Sequence, residues 1–130
     1  MRVSDFKYIL LEIGGGWQYM HELYGITVTG EIYHTSDFPR EVCGHTELEM
    51  CFAGKMEESD VFFEPPEKSG IWLDCPTYHL LEPSDSEPDG LKLLYSKEDN
   101  HVPLIEKLHK VTYYYDHEQN IKKSLKSLNR

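Results

Sequence analysis

The sequence predicts an α+β fold, in which an antiparallel β-sheet of about five or six strands packs against a C-terminal amphipathic helix. Short apolar segments, some alternating with polar residues, recur through residues 1–100 and are separated by turn-forming residues. Beyond Pro103, apolar residues instead recur at steps of three and four. A chain that places its strands first and its helix last is typical of the α+β class.

Two strands and a short helix are predicted in the first third of the chain. Residues 6–13, FKYILLEI, form an apolar strand that ends at three consecutive glycines. Residues 17–24 have large apolar side chains at helical spacing and predict a short helix. Residues 26–34 alternate apolar and polar side chains, which predicts the second strand. Residues 35–41, which include a proline, are then a loop.

The middle of the chain predicts three more strands and one exposed loop. Residues 45–52 alternate between a polar and an apolar face, as a half-buried strand does. Residues 60–64, DVFFE, and residues 70–75, GIWLDC, are apolar segments that prolines terminate. Residues 82–90, EPSDSEPDG, consist of turn formers and predict the exposed loop.

The C-terminal helix is predicted to begin at Pro103, because proline is favoured in the first turn of a helix. Apolar residues then follow at steps of three and four, with one longer gap at Glu118. The segment is therefore one amphipathic helix or two helices broken near Asp116. Glu106 near its start and lysines near its end suit the helix dipole.

Charge is unevenly distributed along the chain. Its 130 residues, 39% of them apolar, suit a single domain spanning residues 1–130. Residues 1–100, predicted to be mostly β, hold 7 basic and 20 acidic residues, whereas residues 101–130, predicted to be helical, are mildly basic with 6 and 3. A net charge of −10 repels nucleic acid and anionic membranes. We therefore expect neither as a direct partner.

The cysteine content indicates a reducing compartment. Three cysteines are an odd number, and no tight disulfide framework connects them. The longest apolar run near the start, residues 8–11, is too short for a signal peptide or a membrane span. The sequence therefore predicts a cytoplasmic protein with free thiols.

The candidate metal site consists of zinc-type donors in two segments: Cys43, His45, Cys75 and His79. Cys51 is not part of the set, since an extended segment would place it about 26 Å from Cys43. Joining the two segments requires that CPTYH form a helical turn, and the tight CxxC spacing typical of zinc sites is missing. We expect no cofactor, and a small zinc-binding or thiol enzyme centred on these four residues is the alternative interpretation.

The favoured interpretation is a protein–protein interaction module, because no set of residues is convincing as a catalytic site. Residues 41–67 hold eight acids and one lysine, and the chain is rich in tyrosine and tryptophan, which are common at interfaces. Carboxylates beside aromatic rings suit a surface that covers a basic groove. The candidate partner-binding residues are Glu47, Glu49, Glu57, Glu58, Asp60, Asp85, Glu87 and Asp89.

We therefore expect an inhibitor that binds and neutralises a basic, nucleic-acid-acting protein such as a nuclease toxin. In composition, the chain is similar to immunity proteins that neutralise nuclease toxins and to phage inhibitors of host defence. No motif carries this likeness. A third interpretation is a domain that binds a small ligand, with Trp17 and Trp72 lining the pocket.

Overall fold

The computed structural model describes residues 2–13, 21–36, 49–65, 77–87, 90–97 and 102–128. They form six strands, one long helix, and two short 3-10 turns at Val3–Asp5 and Glu58–Asp60. The strands and the helix are β1 (Tyr8–Ile13), β2 (His21–Ile26), β3 (Glu31–Thr35), β4 (Cys51–Lys55), β5 (Thr77–Pro83), β6 (Leu91–Lys97) and α1 (Pro103–Leu128). The predicted α+β class is confirmed. Within these ranges, no helix is both long and apolar enough to cross a membrane.

The six strands form one antiparallel sheet in the order β4-β3-β2-β1-β5-β6. β1 lies in the interior of the sheet and pairs with β2 on one side and with β5 on the other. Its first four residues, YILL, are all buried. This explains why β1 reads as a continuous apolar run rather than as an alternating one, since both of its faces are covered.

Apolar side chains pack on both faces of the sheet. The helix-facing side carries Leu10, Ile26, Ile32 and Leu80, one from each of four strands, and they pack with Leu104, Ile105 and Leu108 of α1. The opposite side carries a second buried cluster formed by Phe6, Ile9, Leu11, Leu23 and Leu91. Alternate residues of one strand therefore belong to different clusters, as the two-residue period of a strand requires.

The helix α1 is continuous through Asp116, so the alternative of two shorter helices is wrong. Its 26 residues make it about 39 Å long at 1.5 Å per residue. The buried residues all lie in the first two turns. Further along, the apolar residues Ile121, Leu125 and Leu128 are exposed. Packing on the sheet is therefore concentrated in the first half of the helix.

Two predictions in the first third of the chain are wrong. Residues 21–24 belong to strand β2 rather than to a helix, because all four pair with β1, and Leu23 and Tyr24 also pair with β3. Residues 17–20 lie outside the described residues. The predicted strand at 26–34 is two strands. They are joined by a turn in which the Gly30 N–H donates to the Thr27 carbonyl at 3.0 Å and Gly30 adopts a φ of 93°.

The predicted strand at residues 60–64 is also wrong. A 3-10 turn at Glu58–Asp60 is followed by backbone without regular structure. Side chains take the backbone groups that a neighbouring strand would otherwise bind: Lys7 Nζ donates to the Val61 carbonyl at 2.8 Å, and the Phe63 N–H donates to the Tyr8 phenol oxygen at 3.2 Å. Sequence alternation does not reveal such long-range side-chain partners.

The remaining predictions for the middle of the chain are tested in part. Of the strand predicted at 45–52, the structure describes residues 49–52. Within them, strand pairing begins at Cys51. The strand predicted at 70–75 lies outside the described residues. The loop predicted at 82–90 begins later than expected, because β5 continues to Pro83, and its described part is a turn closed by the Ser84 N–H donating to the Gly90 carbonyl at 2.9 Å.

Candidate functional site

Of the predicted metal ligands, only His79 lies within the described residues. It belongs to strand β5, so the helical turn that the metal site would require of CPTYH is not formed at Thr77–His79. The Nδ1 atom of His79 lies 2.8 Å from the Ser96 hydroxyl on the neighbouring strand. Among the described residues, no three His, Cys, Asp or Glu side chains lie together in a way that could hold a metal ion. The zinc-binding or thiol enzyme remains a prediction.

The predicted partner-binding acids fall on two separate turns. Glu57, Glu58 and Asp60 lie together at the 3-10 turn after β4. Asp85 and Glu87 lie on the turn between β5 and β6. Glu49 is exposed just before β4, whereas Glu47 and Asp89 lie outside the described residues. The structure therefore gathers three of the eight residues in one place.

Residues 57–64, which we call the acidic loop, are held firmly against the body of the protein. Lys107 on α1 donates to the Asp60 carboxylate at 2.6 Å. Val61 is buried in the main core, the apolar cluster between the sheet and α1. On either side of these anchored positions the loop exposes four carboxyl or aromatic side chains to solvent: Glu57, Glu58, Phe62 and Glu64. The side chain of Phe62 is 51% exposed.

A cleft of about 700 Å³, which the sequence did not predict, opens between the sheet and the middle of α1. Its floor continues the helix-facing side of the sheet beyond the apolar core. Glu12 on β1 lies directly opposite Glu22 on β2, and Tyr24 on β2 lies directly opposite His34 on β3. Towards this end of the strands, the same sheet face that buries Leu10 thus becomes polar.

Each of the two glutamates in the cleft contacts one histidine. Nε2 of His109, from α1, donates to Oε2 of Glu12 at 3.0 Å. His34, from β3, forms the equivalent pair with Oε2 of Glu22. Both carboxylates are largely shielded, with 16% and 21% of the side chains of Glu12 and Glu22 exposed. Like charges directly opposite each other on neighbouring strands are destabilising, and the histidines offset part of that cost.

Aromatic rings form much of the remaining cleft wall. The ring of Tyr24 lies 4.7 Å from the ring of His34 and 6.1 Å from that of His109, measured between centroids. Tyr78 lies 5.8 Å from His109 on the other side. Nearer the solvent, Phe52 and Tyr115 meet edge to face at 5.4 Å, and Tyr113 also lines the cleft. The arrangement combines shielded carboxylates with ring faces.

Burial, followed by the nearby carboxylates of Glu12 and Glu22, raises the pKa of the Tyr24 phenol. The folded protein therefore holds this proton more tightly than the unfolded chain, whose tyrosines lose theirs near pH 10. Below that pH both states carry the proton, and the contribution to stability is constant. Above it, the unfolded state ionises first, so the free energy of unfolding falls as the pH rises.

We therefore expect the free energy of unfolding to fall more steeply between pH 10 and 11 in the unmodified protein than in Tyr24→Phe. Urea denaturation at pH values from 8 to 11 would measure both slopes. Tyr113→Phe is the control, because Tyr113 is 68% exposed, and it should leave the slope unchanged. Equal slopes for Tyr24→Phe and the unmodified protein would contradict the assignment.

The cleft is not recognisable from the sequence, because its residues come from segments that are far apart in the chain. Glu12 closes an apolar run, and His34 lies in an alternating segment. Only the strand register brings Glu12 opposite Glu22, and only the docking of α1 brings His109 to Glu12.

Comparison with known proteins offers no analogy, since no protein-family model, curated protein or solved structure matches the chain.

Proposed function

We propose that the protein is a cytoplasmic interaction module that binds and neutralises a basic, nucleic-acid-acting protein, as an immunity or anti-defence protein does. The observation that carries the proposal is the acidic loop. It exposes Glu57, Glu58 and Glu64 in the same short segment as the apolar ring of Phe62. Aromatic residues are enriched at protein interfaces, and the rim of an interface is polar.

The anchoring of the acidic loop favours binding, because a segment already held in place loses little conformational entropy when a partner docks. The Lys107–Asp60 ion pair, the buried Val61 side chain and the bond from Phe63 to Tyr8 hold the loop at three points. The exposed carboxylates would then attract a basic surface and speed its approach, while Phe62 would slow dissociation. The two effects are separable by measurement.

Affinity capture from cells of the source, or of its host, would identify a partner, and association kinetics at several salt concentrations would test the mechanism. We expect the double variant Glu57→Gln/Glu58→Gln to associate about tenfold more slowly at low salt, and with a weaker salt dependence. We expect Phe62→Ala mainly to raise the dissociation rate.

The matched control is Asp116→Asn/Glu118→Gln, which removes the same charge from exposed positions of α1, outside the acidic loop. It should slow association much less than the loop variant does. Equal slowing by both pairs would show that net charge alone governs binding, and would contradict the role of the loop. A captured partner whose nucleic-acid-directed activity is unchanged by binding would contradict the inhibitory function.

A further inference from the structure

We propose that the cleft between the sheet and α1 binds a guanidinium group, carried either by a small molecule or by an arginine side chain. This inference does not depend on the proposed function, because the cleft and the acidic loop are different surfaces. The acidic loop is bonded to Tyr8 at the start of β1, whereas the cleft contains Glu12 near the end of β1. The two surfaces can therefore be tested separately.

The charge of the cleft favours a cation. Three carboxylates line it, on Glu12, Glu22 and Asp116, and none of the described lining residues is a lysine or an arginine. Each histidine contacts one carboxylate oxygen, Oε2, of its glutamate. A cation between the two glutamates would relieve the repulsion that their direct cross-strand pairing imposes.

The geometry of the cleft favours a guanidinium over an ammonium group. A guanidinium is planar and has five N–H donors, so it can bond two carboxylates at once, whereas an ammonium is a compact point charge. Its flat face also stacks on aromatic rings, and the partly buried ring of Tyr24 lines the cleft beside the carboxylates. A volume of about 700 Å³ is within the usual range for ligand sites.

The partly shielded position of the carboxylates adds to the expected strength of such a contact. Most of the Glu12 and Glu22 side chains is shielded from solvent, which limits the screening of their charge by water. The phenol of Tyr24 stays protonated beside them at neutral pH and adds no negative charge of its own. The site thus combines a fixed charge with apolar walls on which the methylene arm of an arginine can lie.

Titration of the full chain with arginine blocked at both ends, followed by NMR or calorimetry, would test the proposal directly. The neutral control is citrulline blocked in the same way, which has nearly the same shape without the charge. We expect the arginine derivative to bind at least about tenfold more tightly than the citrulline derivative. Equal affinities would overturn the proposal. Blocked lysine that bound as tightly as blocked arginine would overturn the preference for a guanidinium.

Variants locate the site. We expect Glu12→Gln and Glu22→Gln each to weaken binding of blocked arginine by about tenfold, because each removes one charge-assisted bond. Glu118→Gln is the matched control on exposed helix surface and should leave the affinity unchanged. Unchanged affinity in both cleft variants would overturn the proposal. The comparison of arginine with citrulline uses the unmodified protein, so it stays decisive even if a variant folds poorly.

Two further probes distinguish the sources of the guanidinium. Agmatine represents a free small molecule, and a capped Gly-Arg-Gly peptide represents a side chain on a polypeptide. Tighter binding of agmatine would support a small-molecule site, and equal or tighter binding of the peptide would support a site for an arginine of a protein. Failure of both probes to bind would overturn the proposal, and it would leave the acidic loop and its partner untouched.

Discussion

Replacement of Gly30 by alanine is expected to lower the free energy of unfolding by about 3 to 5 kcal/mol, a large share of the stability of a small domain. Gly30 has a φ of 93°, a conformation that side chains disfavour. An added Cβ would also collide with the Met56 carbonyl oxygen. Relief of the collision would disturb the 2.9 Å bond from the Met56 N–H to the Gly30 carbonyl. Urea denaturation would measure the loss.

Gly90→Ala is the matched control for this prediction. Gly90 also has a positive φ, 77°, but an added Cβ would meet no atom within 4 Å. The control should therefore lower the free energy of unfolding only by the cost of placing a side chain at positive φ, about 1 to 2 kcal/mol. The difference between the two variants isolates the collision with the segment that follows β4. Equal losses would show that this segment moves aside at no cost, contrary to the packing described above.

Ile105→Ala is expected to lower the free energy of unfolding by about 2 to 5 kcal/mol. Ile105 is fully buried between α1 and the sheet, so the truncation leaves a cavity in the main core. Ile121→Ala makes the same chemical change in the same helix at a side chain that is 47% exposed. Its effect should stay within about 0.5 kcal/mol of zero.

Chemical denaturation of both isoleucine variants tests how α1 is attached. A large loss for Ile105→Ala alone would establish that the first turns of the helix hold it to the sheet. A loss for Ile121→Ala as large as that for Ile105→Ala would contradict this account, because it would mean that the second half of the helix is also packed. Circular dichroism would verify that both variants keep their helix content.

The elements that the sequence predicted correctly are those whose pattern is local. Strand β1 is a continuous apolar run that ends at glycines, and α1 begins at Pro103 and keeps a helical period. Strand β2 was mistaken for a helix because its helix-facing side changes from Ile26 in the core to Glu22 in the cleft. That change hides the two-residue period that would otherwise identify a strand.

The acidic loop and the cleft also differ in how far each could be predicted from a local sequence pattern. The acidic loop was predictable as an acidic stretch, because its charge lies within one short segment. The cleft was not, because the pairing of Glu12 with Glu22 depends on strand register and that of His109 with Glu12 depends on where α1 docks. Composition alone cannot specify either. The guanidinium proposal therefore rests on the structure, whereas the inhibitor proposal began with the sequence.

The position of β1 also determines what the chain exposes while it folds. Ile9 pairs with Gly25 on one side, close along the chain, and with Leu81 on the other, much further along it. A chain that has paired β1 with β2 but not yet with β5 presents an open edge made of Tyr8 to Leu11, its most apolar strand. Such an edge is a template for pairing with another molecule. Refolding yield should therefore depend on protein concentration, even though the finished sheet shields this strand on both sides.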